Sequence, residues 1–279
     1  MIKMSDIIAD IEFLPPFSKV AQKALEIIRQ PDFTMKELSE LIIYDPALTA
    51  NILKVANSAL YARTQVVSDL QTAISFLGAK EMSSIILLSA ANKYFEQHLE
   101  GYEVYHGEIW EHSLSVAVNS QELKYLEPEI DDSTLFTAAL LHDVGKLILS
   151  KYVLEKLDEI NELIRTEGVN FITAERKIVG FSHTVVGAAV LKKWNFSKTI
   201  CEVAKYYKNP ERVNNPYVNI VAMADFVSIM IGKSSQKDGL AYSGCAPLFT
   251  RYKISSRQLD VIITRCADRT KELIENLNL

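Results

Sequence analysis

Apolar residues return at three- and four-residue intervals through much of this chain, the period of amphipathic helices. The first such face carries Val20, Ala24, Ile27 and Ile28. It is entered through an extended Leu14-Pro15-Pro16 stretch, because proline disfavours helix in the residue before it, and it breaks at Pro31. Thr34 with Glu37 forms a capping box for a short helix ending near Tyr44. Asp45-Pro46 supplies an N-cap and a proline at the first helical position for a helix whose face holds Leu48, Ile52, Val55, Ala56 and Ala59. Ser68 with Gln71 opens another helix, Gly78 ends it, and residues 80–94 form the next. A polar stretch around Gly101 and Gly107, carrying His98 and His106, reads as a linker. Residues 109–118 again look helical, 135–141 are apolar on nearly every side, and 218–231 form a long apolar run. From 232 to 252 the pattern loosens around Gly239, Gly244 and Pro247, as in a connecting loop. A last amphipathic helix begins at Ser256, with Leu259, Ile262, Ile263, Cys266, Thr270, Leu273 and Leu277 along one side. The expectation is an all-α protein: a helical N-terminal lobe over 1–100, a second helical lobe over 101–232 meeting it in a cleft, and a loop with a C-terminal amphipathic helix over 233–279.

Composition narrows the function classes. A length of 279 residues fits about two domains, and 48% hydrophobic content is ample for a large core. A net charge of −5 argues against a dedicated nucleic-acid binder, barring a local basic patch. The helix, glycine, helix outline of residues 68–91 resembles a DNA-reading motif, but its second helix offers Glu81, Met82, Ser83 and Ser84, with Lys80 its only early base. Ordinary helix packing is the better reading. The N-terminus carries Asp6, Asp10 and Glu12 and has no basic, then apolar, leader pattern. No run approaches the roughly 20 apolar residues that span a bilayer. Cys201, Cys245 and Cys266 are far apart and form no CxxC, as expected of free thiols in a reducing cytoplasm.

Candidate chemistry centres on Leu140-Leu141-His142-Asp143-Val144-Gly145-Lys146-Leu147. An imidazole beside a carboxylate suits a divalent cation such as Zn²⁺, Fe²⁺ or Mn²⁺. Gly145 is suited to end the preceding helix in a left-handed cap. Asp225 is the only charge in the run 218–231, and a carboxylate buried there alone would cost several kcal/mol, so a cation or charged imidazole should stand beside it. His112 lies upstream in a helical run. Each has a plainer reading: His142 and Asp143 as a metal-free pair at a helix end, His112 as an interior histidine bonded to a carbonyl. Likewise Lys146 could complement a helix dipole instead of steering a phosphate.

The order His112, His142-Asp143, Asp225 resembles the HD superfamily of metal-dependent phosphohydrolases. The segment Asp45-Pro46-Ala47-Leu48-Thr49-Ala50-Asn51-Ile52-Leu53-Lys54-Val55-Ala56-Asn57-Ser58 resembles the hallmark of the HDOD family, a bacterial branch related to those enzymes. Ala73-Ile74-Ser75-Phe76-Leu77-Gly78, Ile109-Trp110-Glu111-His112-Ser113, His183-Thr184-Val185-Val186-Gly187 and Leu191-Lys192-Lys193-Trp194 are similar to further blocks of that family. The resemblance spans roughly residues 12–210. It implies an all-helical fold and a role in bacterial signal transduction, with an HD-like lobe holding a divalent ion (Fe, Mn, Zn or Mg) through His112, His142, Asp143 and Asp225. His183 could match an additional histidine of the related cyclic-dinucleotide phosphodiesterases. Where those enzymes place paired histidines this chain reads Tyr206-Tyr207-Lys208, and no Gly-Tyr-Pro follows. Tyrosine is a poor ligand for such metals, which argues against a two-metal clamp and against cyclic-dinucleotide turnover.

Two functions follow. The leading one is a cytoplasmic regulatory module acting on signalling proteins or a small phosphorylated or nucleotide ligand, without membrane or nucleic-acid partners. The alternative is an active metal-dependent phosphohydrolase, in which Asp143 and Lys146 would take catalytic roles. The C-terminal helix packs back on the HD-like lobe or, alternatively, forms a homodimer seam.

Overall fold

The structure, a computed structural model, describes residues 3–58, 67–95, 99–105, 107–235 and 245–277. Ala59, His98, His106, Gly239, Gly244 and the side chain of Leu277 lie outside the described residues. Among the described residues all regular structure is helical, apart from one isolated bridge between Leu99 and Val104. The all-α expectation holds.

Helix α1 (Met4–Phe13) precedes the two prolines that open the pattern read from sequence. Next come α2 (Lys19–Ile28), α3 (Met35–Ile42) and α4 (Pro46–Ala56). Their caps are those the sequence signals: Thr34 Oγ1 accepts from Glu37 N at 3.1 Å, and Asp45 Oδ1 from Leu48 N at 3.0 Å. Helix α5 (Leu70–Phe95) is capped by Asp69, not Ser68: Asp69 Oδ1 accepts from Thr72 N at 2.8 Å. Gly78 interrupts it with φ +76°, a left-handed value glycine adopts without steric cost. Leu70–Asn92 has the length and hydropathy of a membrane span, contrary to the expectation that no run does. Yet 56% of its window is buried and Gly78 breaks it, features shared by core helices of soluble folds.

The remaining helices are α6 (Glu108–Leu123), α7 (Asp132–Leu141), α8 (Lys146–Leu154), α9 (Leu157–Glu167), α10 (Phe171–Ile178), α11 (His183–Lys193), α12 (Lys198–Tyr206), α13 (Pro216–Met230), α14 (Ala246–Arg251) and α15 (Ser256–Leu277). Helix α14 corrects the reading of 232–252 as loop throughout: Pro247 sits in its first turn, where a missing N–H costs nothing. The stretch read as a linker is also more ordered than expected. Glu100–Tyr102 is a 3₁₀ turn, Tyr102 is buried, and Gly101 N donates to Ser150 Oγ at 3.1 Å.

Contacts divide the chain into two units, Met1–Leu14 with Tyr94–Thr270, and Pro15–Lys93 with Lys271–Leu279. In the smaller unit, α2 packs on α3 and α3 on α4. Asn57 ties the end of α4 to the entry of α5: its side chain donates to Val67 O and accepts from Val67 N, both at 2.8 Å.

The larger unit is built around two helices that are apolar on every side. Residues Leu135 through Leu141 of α7 are all buried, as are most of α13, and α6 packs against both. Buried Ser115, Asn119, Ser228 and Thr270 form one hydrogen-bonded cluster joining α6, α13 and α15. On α15, Ile262, Cys266 and Thr270 are buried at four-residue spacing.

Candidate metal centre

Three helices deliver the candidate site. His112 lies within α6, His142 caps the end of α7, Asp143 opens the turn that follows, and Asp225 sits in the middle of α13. Because residues 135–141 of α7 and most of α13 are buried, the polar groups at the end of α7 and in the middle of α13 are carried into the interior. His112, His142, Asp143 and Asp225 are each at most 1% exposed. Gly145 contributes differently from the left-handed cap expected of it. Its φ is −65°, an ordinary helical value. A Cβ there would fall 1.9 Å from His183 O and 2.4 Å from Gly187 N. Glycine is needed for the close approach of the α8 start to α11, not for backbone handedness.

The rings of His112 and His142 are oriented by backbone carbonyls. His112 Nδ1 donates to Lys233 O at 2.9 Å and His142 Nδ1 to Ala139 O at 2.6 Å. In the neutral rings this leaves the lone pair on Nε2, the arrangement that second-shell partners impose on metal-binding histidines. Burial, foremost, and then neighbouring His112 push the His142 imidazole down to about 4 against the pull of Asp143. Both Nε2 atoms are buried and have no hydrogen-bond partner. They converge with Asp225 Oδ1, which lies 3.2 Å from His112 Nε2 and 3.9 Å from His142 Nε2, and these three ligand atoms lie within 4.8 Å of one another. Two lone pairs facing a carboxylate oxygen repel unless a cation stands among them. The residues therefore fit a divalent ion, as two imidazoles and one carboxylate.

Asp143 is arranged otherwise. Its Oδ2 accepts from Lys146 Nζ and from Ser235 Oγ, each at 2.7 Å, and its Oδ1 accepts from Tyr207 OH at 2.5 Å. Lys146 also reaches Ser235 O at 3.2 Å and Ser235 Oγ at 2.7 Å, so its three donors are all directed into the protein. Burial raises the Asp143 carboxyl, but Lys146 and then the imidazoles of His142, His183 and His112 outweigh it and hold the group well below the usual range. Asp225 follows the same logic: burial is outweighed by Lys208, whose Nζ donates to Oδ2 at 2.7 Å, and then by His112.

His183 opens α11 and belongs to a second layer. Its Nδ1 lies 2.9 Å from Glu175 Oε2 and its Nε2 lies 2.9 Å from Tyr207 OH. Tyr207 has one proton, which it directs to Asp143, so His183 Nε2 is the donor toward the tyrosine oxygen and offers no lone pair to a metal. Glu175 is completed by Tyr102 OH and by His183 N. A hydrogen-bonded chain thus runs from Tyr102 through Glu175, His183 and Tyr207 to Asp143.

The model of the HDOD domain matches residues 14–210. This chain belongs to the HDOD family. Several solved structures share its fold. An HDOD protein of unknown function from Geobacter sulfurreducens is 22% identical, superposes with a TM-score of 0.74, and is covered over 98% of its length by 99% of this chain. A protein of Shewanella amazonensis SB2B, provisionally named a phosphohydrolase, is 21% identical with a TM-score of 0.72 over 97% of both chains. One from Marinobacter aquaeolei VT8, provisionally named a signal transduction protein, is 20% identical with a TM-score of 0.71 over 96% of this chain and 60% of that one. A curated relative, an uncharacterised protein of Treponema pallidum (strain Nichols), is 22% identical over 233 residues. This chain spans only 43% of the length of that relative.

Within the HDOD pattern, the structure brings together His112, His142, Asp143, Lys146 and Asp225, and holds His183 behind Tyr207. In the sequence, Tyr206-Tyr207-Lys208 stands out only for the imidazoles it lacks. Tyr207 and Lys208 are in fact the groups that engage Asp143 and Asp225. Glu175 and Ser235 were missed altogether. Glu175 sits among charged and apolar residues in Thr173-Ala174-Glu175-Arg176-Lys177 and carries no local signal of burial, and Ser235 is one of several serines in an irregular stretch.

Proposed function

We propose that this chain is a regulatory HDOD module of bacterial signal transduction, cytoplasmic, acting through contacts with signalling proteins or a small phosphorylated or nucleotide ligand. In this reading the HD site holds at most one divalent ion, through His112, His142 and Asp225, and the ion has a mainly structural role. The observation that carries it is the occupation of both carboxylates by internal ammonium groups, Lys146 on Asp143 and Lys208 on Asp225. A two-metal clamp draws on carboxylate oxygens to bridge or terminate metals, and here both Asp143 oxygens already accept hydrogen bonds, two at Oδ2 and one at Oδ1. Lys146, the residue that would engage a phosphate, has its donors committed to Asp143 and Ser235. When bound, a divalent ion would supply a cross-link among three helices and, in a hydrolase, Lewis-acid chemistry. Asp143 would then close the site electrostatically, and Tyr207 would hold its orientation.

The phosphohydrolase reading draws on one specific feature: two imidazoles and one carboxylate leave further positions open on a metal. Metal analysis of the purified protein, with a phosphoester panel that includes cyclic dinucleotides, separates the two. The expected result is uptake of one divalent ion per chain, a lower melting temperature after chelation, and turnover below the order of 1 s⁻¹ on every substrate. Turnover of about 1 s⁻¹ or faster would return the protein to the hydrolases. Protein that carries and takes up no metal, and melts identically with and without chelator, would overturn the metal assignment.

A further inference from the structure

We propose that Lys208 is a resident counter-ion that competes with the divalent metal for Asp225, so that the site keeps its shape without the ion and takes it up weakly and reversibly. The inference rests on the reading that His112, His142 and Asp225 hold that metal. Its basis is how the two oxygens of a single carboxylate are divided. Oδ2 accepts from Lys208 Nζ at 2.7 Å, while Oδ1 faces the two unpartnered Nε2 atoms. Lys208 is itself only 3% exposed, and its ammonium also lies 5.0 Å from the centroid of the Tyr207 ring. Tyr207 and Lys208, adjacent in sequence at the end of α12, thus address the two acidic side chains of the site together, Tyr207 taking Asp143 and Lys208 taking Asp225.

The consequences are electrostatic. An ammonium within contact of Asp225 draws charge density from the carboxylate and repels a second cation bound to its other oxygen. The same ammonium neutralises Asp225 when no metal is present, removing the penalty of an uncompensated buried charge. A site without such a lysine would need the ion in order to fold, because metal binding and folding are then one free energy. With Lys208 in place the two are separated. The ion then adds a cross-link and stability to a centre that Lys208 already keeps neutral enough to fold without it.

The test is a Co²⁺ titration of the full chain, followed by visible absorption and by melting with and without chelator, for the wild type, Lys208→Met and Lys208→Gln. The glutamine keeps a hydrogen-bond donor for Asp225 while removing the charge, and carries the test if the methionine variant does not fold. Tighter Co²⁺ binding by roughly 10–100-fold, the range over which outer-shell partners tune metal affinity, is expected in the charge-removed variants. Chelation should also lower their melting temperature further than it lowers that of the wild type. In Lys208→Met with Asp225→Asn the tightening should vanish, and its persistence would show that Asp225 does not mediate it, overturning the proposal. Wild-type protein that binds Co²⁺ while the charge-removed variants bind it equally or more weakly would overturn the competition and leave the metal site standing. Absence of binding in all forms would sink the metal assignment and this inference with it.

Discussion

Replacing Lys146 by methionine isolates the role of the first internal cation. Lys146 Nζ lies 2.7 Å from Asp143 Oδ2, with both side chains at most 1% exposed. At an effective dielectric constant of about 20, two unit charges at that separation attract by roughly 6 kcal/mol. Much of this offsets the cost of taking both ions out of water, so the useful quantity is the cost of orphaning the carboxylate. Removing one partner of a buried pair costs about 3–5 kcal/mol. For a unit of this size each kcal/mol lowers the melting temperature by about 2–4 °C, so Lys146→Met should melt roughly 6–20 °C below the wild type. Adding Asp143→Asn should restore most of the loss, because a neutral amide no longer requires a cation and can still meet Tyr207 and Ser235. Thermal and urea denaturation by circular dichroism, with chelator present so that bound metal does not mask the effect, measures both variants. A single variant within about 1 kcal/mol of the wild type would refute the assignment of Lys146 as the essential counter-ion of Asp143. A double variant no more stable than the single would refute the electrostatic cause and point to packing of the lysine stem.

Gly145→Ala should destabilise by about 3 kcal/mol or more, because the new Cβ meets backbone atoms of His183 and Gly187 that cannot rotate away. A urea midpoint equal to that of the wild type would show that α8 and α11 can separate at no cost. In chelated protein, His142 should make stability fall with acidification. Its folded value of about 4 lies below the ordinary 6.5, so between those limits the unfolded chain binds the proton and the native state does not. Stability is therefore intact above about 6.5 and declines by about 3 kcal/mol as pH falls to about 4. His142→Asn, which does not titrate, should flatten that segment of the profile, and an unchanged slope would remove His142 as its source.

The local signals in this chain were dependable where physics is local. Thr34 and Asp45 cap the helices they precede because a side-chain oxygen three residues before an N–H can reach it without tertiary help. Gly78 breaks its helix for the same kind of reason. The error at Ser68 was one position, since Asp69 offers the same chemistry one residue later. Pro247 read as a loop marker when it was an N-terminal helix residue, a role proline plays equally well.

For the site, sequence alone determined the all-helical class, the apolar character of the helices that carry His142 and Asp225, and the need for a positive partner beside Asp225. That last conclusion required only burial and charge, both readable from a single acid in an apolar run. Which cation answers the need was decided by tertiary structure. Lys208 precedes Asp225 by more than four helical turns' worth of chain and looks like any surface lysine until α12 sets it against α13. Gly145 was legible as a special residue, but the reason for it, a backbone 1.9 Å from where a Cβ would stand, belongs to a helix 38 residues away in the case of His183. Periodicity and capping reach only a few residues along the chain. Charge pairing and close approach act through space, and only the packed helices determine which side chains share it.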